Sequence, residues 1–299
     1  MKKNTQVVYL CAGLANRMFQ YALYLHYKKN GYSALIADNS MVTIYKHEDV
    51  KIQEIFANVV YETASKLQLF VMGGSNDAVS RFFRNRLHIY SPFYVRTGAE
   101  DGFVQSVLFP KKSSYHSGVF QSENYFEDVK EEVRKAFVFH PFNEGKNLTL
   151  QNQMAQENSV AIHVRKGNDY QNGEPYKNTC TLEYYSMAIE YIKEHVKNPV
   201  FYVFTDNPKW VEKNLAGIVD YTLVDWNPAV GKGNHYDMQL MSCAKHNVIA
   251  NSTYSWWGAW LNSNPSKIVV GPKQWFNPDC VKFNKIKDLM IVPDSWIKL

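Results

Sequence analysis

The chain has 299 residues, enough for one large domain or two ordinary ones, and its 45% hydrophobic content is typical of globular proteins. The formal net charge of +5 is modest for this length, which argues against a nucleic-acid-binding protein, whose basic residues would be more numerous and more clustered. Four cysteines without Cys-x-x-Cys spacing argue against a zinc site and favour a reducing compartment.

The chain opens with half of a βαβ unit. Residues 6–12 predict a strand, residues 13–16 a glycine turn, residues 17–30 a helix and residues 32–37 the next strand. The amino terminus of such a helix presents unpaired N–H groups to an anion. Because the first apolar run is too short for a signal peptide or a membrane span, we expect a cytoplasmic protein, with at most a peripheral contact with the inner membrane.

The middle of the chain has weaker patterns. Residues 38–112 predict mostly helices and irregular loops, and residues 123–137 predict one amphipathic helix. The basic and aromatic run at residues 81–86 is typical of a solvated face, and contact with a membrane surface or an acceptor is the alternative.

A turn-rich stretch and a polar helix follow at residues 141–158, where we expect the domain boundary. We therefore expect an N-terminal α/β domain at residues 1–150 and a C-terminal α/β domain at residues 151–299.

The second half alternates strands with helices, which predicts a mostly parallel sheet. The apolar run that ends in Thr205 is typical of a strand covered on both faces, and Thr181 is a good N-cap for the helix that follows it. The predicted strands are residues 159–164, 199–205, 247–250 and 267–271, and the predicted helices are residues 182–196, a helix that opens at Pro208, and residues 236–245 and 252–262.

Polar and charged residues follow several of these strands, where ligands bind in open α/β sheets. Arg165 and Lys166 come directly after the strand that ends near His163, and a guanidinium suits a phosphate because its donors match the phosphate oxygens. A buried strand followed by surface cations explains the same pattern, so both interpretations stay open.

A second group of polar residues begins another helix. Hydroxyl groups and unpaired N–H groups would converge there as in a phosphate site, although an ordinary capped helix is equally compatible. The hydroxyl residues are Ser252, Thr253 and Ser255, and for the neighbouring Trp256, Trp257 and Trp260 we favour core packing.

Asp237 lies in the first turn of a predicted helix. A capping and dipole role explains it without a ligand. The alternative is that its carboxylate accepts two N–H bonds from a guanine edge.

These motifs together resemble the α1,2-fucosyltransferases of glycosyltransferase family eleven, especially the bacterial members. The resemblance runs from residue 13 to residue 276. It is carried by GLANRMFQYA from residue 13, GVFQSENYF from residue 118, HVRKGNDY from residue 163, FTD from residue 204, DMQLMS from residue 237, IANSTYSWWG from residue 249 and GPKQWF from residue 271.

The resemblance implies two facing Rossmann-like domains, the GT-B type of glycosyltransferase fold. It implies inverting, metal-independent transfer of fucose from GDP-fucose to the 2-hydroxyl of a terminal β-galactoside, such as lactose or an O-antigen precursor. GDP-fucose would lie mainly on the C-terminal domain, and the N-terminal domain would lie on the acceptor side. The expected partners are this donor and a galactose-terminated oligosaccharide, with no nucleic acid and no cofactor.

The resemblance also implies residue roles. Arg165 would bind the β-phosphate, with Lys166 beside it, and Asn16 would reach the phosphate or the fucose. His163 and Asp237 would contact the guanosine, and Ser252, Thr253 and Ser255 would contact the diphosphate.

The chain departs from the family pattern in two loops. The family has Gly-Gly-Leu-Gly-Asn-Gln where this chain has Ala12, Gly13, Leu14, Ala15, Asn16 and Arg17, and we expect alanine to tolerate most of the required backbone angles. Lys166 stands where the family has a second arginine, which keeps the charge but loses the two-pronged donor geometry. The extra Asn168 shifts Asp169 by one position.

The chemistry of the transfer points to Arg165 as the group that stabilises the departing β-phosphate. Asp169 and Glu174 are candidates for the general base that deprotonates the acceptor hydroxyl. Two alternatives remain: another nucleotide-sugar transferase with a different acceptor or linkage, and a non-catalytic carbohydrate-binding protein.

Overall fold

The computed structural model describes residues 3–38, 50–75, 78–167, 170, 172–283 and 289–299, apart from the side chains of residues 3, 78, 81 and 85. The described residues form two compact units. The first extends to Val138 and includes Leu289 and Met290, and the second consists of residues 139–283 together with Ile291–Leu299.

The first unit contains a four-stranded sheet in the order β2-β1-β4-β3, with every described pair parallel. Val7, Val8 and Leu10 are buried in the central strand β1, as expected for a strand covered on both faces. The strands are β1 (Lys3–Leu10), β2 (Tyr32–Asp38), β3 (Tyr94–Thr97) and β4 (Ser114–Gly118).

Helix α1 (Leu14–Lys29) connects β1 to β2 and is buried along most of its length. The predicted helix at residues 123–137 is instead a 3-10 helix (Glu123–Val129) followed by α5 (Lys130–Ala136), because the backbone leaves helical angles at Phe126 (φ −142°, ψ 26°) and again at Val129 (φ −128°, ψ 20°). The remaining helices of this unit are α2 (Ile52–Ile55), α3 (Lys66–Met72) and α4 (Ala78–Arg86), with 3-10 turns at Ala99–Asp101 and Gln105–Val107.

The second unit contains a six-stranded sheet in the order β10-β9-β8-β5-β6-β7, again with parallel pairs throughout its described part. The strands are β5 (Asn158–Val164), β6 (Pro199–Thr205), β7 (Tyr221–Val224), β8 (His246–Val248), β9 (Val269–Gly271) and β10 (Ile297–Lys298).

Helices connect these strands and cover the sheet. Tyr185 and Ile189 pack with Ile162 and Val203 in one buried cluster, and the three tryptophans of the last helix are buried as predicted. The helices are α6 (Gly145–Gln156), α7 (Leu182–His195), α8 (Pro208–Leu215), α9 (Tyr236–Cys243) and α10 (Thr253–Leu261).

The structure divides the chain between residues 138 and 139, whereas the sequence prediction places the boundary between residues 150 and 151. The difference has a packing cause. Helix α6 contacts α9 and β5, and the carbonyl of His140 accepts a hydrogen bond of 2.8 Å from the Gln239 amide. The segment from residue 139 to residue 150 therefore belongs to the second unit.

Among the helices in the described part of the chain, none is long and apolar enough to cross a membrane.

Candidate active site

The carboxyl edge of the second sheet gathers the loops in which the sequence places most of its candidate residues. The strands are parallel, so their carboxyl ends share one edge, and each helix that leads out of a strand begins there. Helices α8 and α10 begin three and five residues after the ends of β6 and β8, at Pro208 and Thr253. The loop after β5 lies between them in the sheet, because β5 pairs with both β6 and β8.

Asp206 organises the loop after β5. Its carboxylate accepts hydrogen bonds from the backbone N–H groups of Lys166 and Gly167, at 2.7 and 3.0 Å. It also forms an ion pair of 2.8 Å with a guanidinium nitrogen of Arg165. Three donors on consecutive residues therefore converge on one carboxylate, which fixes the conformation of this loop.

Asn207 joins the same two loops from the other side. Its amide nitrogen donates to the Lys166 carbonyl at 2.7 Å, while its side-chain oxygen accepts the Trp210 N–H at 3.0 Å and caps helix α8. The loop after β5 is thus fastened to the first turn of a helix as well as to Asp206.

The Arg165 guanidinium is held by a ring as well as by an ion pair. Its central carbon lies 4.9 Å from the ring centroid of Tyr170, and the Tyr170 hydroxyl donates to the Asn251 carbonyl at 3.1 Å. The Tyr170 ring stacks on Tyr176 at 4.5 Å. Since Asn251 directly precedes Ser252, this chain of contacts sets Arg165 beside the loop that leads into α10.

Lys166 is directed elsewhere. Its ammonium group donates to the Thr179 carbonyl at 2.9 Å and lies 5.5 Å from the ring centroid of Trp210. Burial lowers the pKa of Lys166. In this conformation Lys166 holds the loop, and Arg165 is the cation on this loop that the geometry favours for a ligand.

The start of α10 presents backbone N–H groups in an arrangement that is able to accept an anion. Within the described residues, the Ser252 side chain at the N-cap forms no capping hydrogen bond, so the first-turn N–H groups have no cap from it. Thr253 is partly exposed at the first helical position. Ser255, in contrast, is fully buried and its hydroxyl donates to the Ser252 carbonyl at 3.2 Å, so Ser255 supports the turn.

His163 lies at the end of β5 and is a neutral, buried imidazole. Burial, followed by the nearby charge of Arg165, lowers its pKa to about 3. Its ring centroid is 6.0 Å from that of Tyr254, and its buried Nδ1 has no hydrogen-bond partner among the described residues. His163 can therefore offer a ligand a hydrogen bond without a charge.

Asp237 lies on the other side of Tyr254. The Tyr254 hydroxyl accepts the Met238 N–H at 3.0 Å, which joins the first turn of α9 to that of α10. Burial raises the pKa of Asp237 to about 6, although the hydrogen bond of 2.7 Å from the Asn227 amide opposes the shift. Asn227 is itself oriented by Asn147 at 2.8 Å. This carboxylate is pre-positioned by a chain of amides.

Of the two candidates for the general base, the structure describes Glu174 but not Asp169. The Glu174 carboxylate is exposed and accepts a hydrogen bond of 2.6 Å from Lys177 in an ion pair. Its backbone carbonyl accepts from the Asn277 amide at 3.0 Å, which fixes the loop but not the carboxylate. Asp169 lies outside the described residues, as does Asn168.

The glycine turn of the first unit has its own polar arrangement. The Asn16 oxygen accepts a hydrogen bond of 2.8 Å from Gln121. Ala12 has a positive φ of 63°, which is strained for an L-residue, so this position is an exception to the expectation that alanine tolerates most of the angles in this loop. At Ala15 the expectation holds, because that residue lies within helix α1.

Comparisons with known proteins assign the chain to a family. The model of glycosyl transferase family 11 matches residues 3–297. The chain belongs to glycosyl transferase family 11. It is 29% identical to an alpha-1,2-colitosyltransferase of Escherichia coli over 98% of both chains. It is 25% identical to a galactoside 2-alpha-L-fucosyltransferase of Caenorhabditis elegans over 60% of this chain and 51% of that protein.

A solved structure shares the fold of this family 11 protein. Arabidopsis thaliana FUT1, a mutant form in complex with GDP, aligns with a TM-score of 0.50 and 13% identity, covering 90% of this chain and 70% of that one. The two α/β units are those of a GT-B type glycosyltransferase, as the sequence predicts. The family 11 protein is a glycosyltransferase of the fucosyltransferase type.

Several residues of the family 11 site were not assigned a role from the sequence. Asp206 and Asn207 order the loop after β5, Asn227 orients Asp237, and Tyr170 holds Arg165. Asp206 and Tyr170 are within quoted motifs, but nothing in a single sequence shows which carboxylate or ring faces which arginine. The strand register supplies that link, because Val164 is paired with Thr205.

Proposed function

We propose that the protein transfers fucose from GDP-fucose to the 2-hydroxyl of a terminal β-galactoside, with inversion at the anomeric carbon and without a metal ion. The observation that carries this proposal is Arg165, fixed at the carboxyl edge of the second sheet by Asp206 and Tyr170. A cation held in advance at this edge suits a leaving group that gains charge as the reaction proceeds.

The leaving group is GDP. As the bond between C1 of fucose and the β-phosphate oxygen breaks, the electron pair stays on that oxygen and the sugar becomes oxocarbenium-like. We propose that Arg165 and the first-turn N–H groups of α10, with Ser252 and Thr253, bind the diphosphate and stabilise this charge. Lys166 and Ser255 support the two loops, and Lys166 adds positive charge behind Arg165.

The guanosine end of the donor suits Asp237 and His163. An ionised carboxylate accepts two N–H bonds, and the guanine edge offers two N–H donors side by side. The Asn227 amide orients the Asp237 carboxylate at 2.7 Å and occupies one side of one oxygen. His163 is neutral at the pH of the cell, so it adds a hydrogen bond without repelling or attracting the diphosphate.

The acceptor hydroxyl attacks C1 from the face opposite the departing phosphate and loses its proton to a base. We propose one of two carboxylates of the loop after β5, Asp169 or Glu174, as that base. Replacing each by its amide separates them: the variant that lacks the base loses the acidic limb of the pH profile of kcat. Unchanged profiles in both variants would remove both residues from the mechanism.

A second donor is favoured by one comparison. The Escherichia coli relative that matches over 98% of both chains is named an alpha-1,2-colitosyltransferase. Colitose is fucose without the 3-hydroxyl, so the same diphosphate and guanosine contacts would serve it. A donor that carries colitose in place of fucose is therefore the second candidate, with the acceptor hydroxyl unchanged.

The test is incubation of the purified protein with GDP-fucose or GDP-colitose and a panel of galactosides, including lactose, followed by determination of the linkage. We expect one donor to give a product with an α1,2 linkage in the presence of EDTA. Product that requires Mg²⁺, or a linkage to another hydroxyl, would contradict the proposal.

Thermal denaturation with GDP distinguishes the enzyme from a carbohydrate-binding protein without a donor site. At a concentration about 100-fold above its dissociation constant, GDP should stabilise the protein by roughly 2.7 kcal/mol. A carbohydrate-binding protein would show no shift with GDP and a shift with a galactoside alone.

A further inference from the structure

Two helices of the first unit direct apolar side chains into solvent. In α3 the exposed residues are Leu67, Phe70 and Val71, with 72% of Leu67 and 67% of Phe70 exposed. In α4 they are Val79, Phe82 and Phe83, with 54% of Phe82 exposed. Both sets follow the spacing i, i+3, i+4, so each helix has a continuous apolar face on the outside. An ordinary surface helix has the opposite arrangement.

The two helices are held firmly enough for this exposure to be a property of the fold. Met72, on the inner side of α3, is buried against Val7 and Tyr115 of the sheet, and Leu69 packs against the same cluster. An Arg84 guanidinium nitrogen donates to the Gly73 carbonyl at 2.7 Å and joins α4 to the end of α3. Among the described residues, the outward faces of both helices are therefore exposed, while the inward face of α3 is packed against the sheet.

The apolar surface continues into the segment after α4 and is mixed with positive charge. Leu87, Ile89 and Tyr90 are exposed as well. Residues 66–90 contain four Lys or Arg residues and one Asp, so their formal charge is 4 − 1 = +3, out of +5 for all 299 residues. We name the exposed side chains among the described residues of 66–90 the apolar-basic surface.

We propose that the apolar-basic surface binds the protein peripherally to a membrane that contains anionic lipids. Exposed Phe and Leu side chains insert between headgroups, and flanking Lys and Arg contact the phosphates, as in interfacial amphipathic helices. Arg86 continues the outer face of α4 one turn beyond Phe82 and Phe83, and Lys66 precedes Leu67 in α3. This places cations beside the apolar stripe, where long side chains extend to the headgroups.

The charge distinguishes a lipid surface from a second copy of this chain. Two copies that met through this surface would bring two segments of +3 together, which is unfavourable. A protein partner of opposite charge would need acidic side chains interspersed with apolar side chains in a matching pattern. An anionic membrane offers negatively charged headgroups and an apolar interior over its whole surface. This inference is independent of the sugar that the enzyme transfers.

The experiment is co-sedimentation of the full chain with vesicles of phosphatidylcholine alone or with phosphatidylglycerol. We expect binding to rise steeply with the anionic lipid and to fall with salt. Phe82→Asp should weaken binding about tenfold or more, because it removes a large apolar group and adds a like charge to the lipid. Arg86→Glu should weaken it by fivefold or more, since each cation near such a surface contributes about 1 kcal/mol.

Matched controls lie in the second unit. Val281→Asp replaces a side chain that is 75% exposed, and Lys197→Glu reverses the charge of another exposed residue, so neither should change sedimentation by more than twofold. Thermal denaturation of each variant with and without GDP reports whether the fold and the donor site are intact. Loss of vesicle binding with an unchanged GDP shift supports the proposal.

Three results would overturn it. The protein does not sediment with anionic vesicles at low salt, the controls lower binding as much as Phe82→Asp does, or sedimentation velocity shows a dimer that Phe82→Asp dissociates. The last result would assign the apolar-basic surface to a second copy. In all three cases a normal GDP shift would leave the proposed transferase function standing.

Discussion

Arg165 is shared between the Asp206 carboxylate and the ring of Tyr170 before any donor arrives. A guanidinium has five N–H donors in a rigid fork, so it can hold a carboxylate and a phosphate together. Asp206 fixes the direction of the fork, and the energetic cost of orienting the arginine is met during folding rather than in the transition state. Because Asp206 fixes the direction of the guanidinium, the proposed stabilisation acts only on a phosphate that lies in the direction of the remaining N–H donors.

Replacing Arg165 tests this role. We expect Arg165→Ala to lower kcat by about 10²-fold or more, comparable to the loss of one preorganised donor, with little change in stability. Arg165→Lys should recover only part of the activity, because an ammonium lacks the two-pronged geometry. Steady-state kinetics provide the measurement, and Arg96→Ala, which removes an exposed arginine of the first unit, serves as the control. Near-normal turnover in Arg165→Ala would contradict the role.

Asp237 couples stability to donor binding through its pKa. Its folded pKa of about 6 lies above the ordinary value of 3.8, so ionisation destabilises the fold. This unfavourable contribution grows as pH rises between about 4 and 6 and is fully present at pH 8. In the donor complex that we propose, the ionised form accepts the guanine N–H groups, so guanine recognition would carry a cost in stability.

The substitution Asp237→Asn should separate the two effects. At pH 8 the variant without ligand should be more stable than the parent by roughly 1–2 kcal/mol, a value discounted from the full pKa shift because the side chain is partly exposed. The same variant should bind GDP at least tenfold more weakly. In the parent, GDP affinity should fall as pH drops below 6, and calorimetric titration at several pH values should show no such decline in the variant.

Ala12 stores backbone strain at the end of β1. An L-residue with φ near 60° costs roughly 1–2 kcal/mol, and glycine does not. We expect Ala12→Gly to stabilise the protein by about 0.5–1 kcal/mol. The matched control is Ala15→Gly, which should destabilise by about 1 kcal/mol because Ala15 is helical. Shifts of opposite sign in the urea midpoint would support this assignment, and shifts of the same sign would contradict it.

At the scale of elements, the N-terminus of α10 is the feature that a single substitution can probe without removing the helix. Ser252 has φ −135° and ψ 124°, which is compatible with a following proline, and proline is well tolerated at the first helical position. Thr253→Pro removes one backbone N–H and leaves the helix intact.

We expect Thr253→Pro to weaken GDP binding by about tenfold, a loss in the range of a hydrogen bond to a charged group, while the melting temperature stays within a few degrees. Thr253→Ala keeps the N–H and loses only the hydroxyl, so it reports the side chain separately. Equal GDP affinity in Thr253→Pro and Thr253→Ala would show that the N–H at position 253 does not contact the diphosphate.

The helices and strands also show which elements can be predicted from the sequence. Apolar runs predict β5 and β6 almost to the residue, and Thr181 and Pro208 mark helix starts correctly. Strand β4 escapes prediction because its buried Ser114 and His116 are polar, and the Nε2 of His116 pairs with the side-chain oxygen of Gln6, which is 110 residues away along the chain. Burial of such residues depends on a partner that no local pattern reveals.

The same limit applies to the site. The βα pattern predicts that Arg165 and Ser252 lie after the ends of strands. It does not predict whether the side chains of Lys166 and Ser255 face a ligand or pack within the protein. Lys166 turns to Thr179 and Trp210 because those groups stand behind the loop. The strand register places Thr179 and Trp210 behind this loop, and that register is established only in the folded sheet.

At the scale of the whole molecule, the donor contacts that we propose in the second unit belong to its carboxyl edge. Hydrogen exchange followed by mass spectrometry should therefore show GDP protection in peptides that cover residues 163–170, 235–239 and 251–256. Peptides from the apolar-basic surface should not change, since that surface is assigned to lipid. Protection spread evenly over both units would contradict this placement of the nucleotide.

In their described parts, both sheets consist of parallel strands, and each sheet has a central pair of strands that come from distant parts of the chain. Gln6 pairs with Ser114 and Val160 with His246, so the central contacts close loops of about a hundred residues. Such pairings form slowly, and unpaired strand edges meanwhile promote aggregation. A chain emerging from the ribosome can complete β1 to β4 before β5 is made. Recovery from denaturant in the test tube should therefore be slow and poor in yield, and expression at low temperature with chaperones is the practical route to this protein.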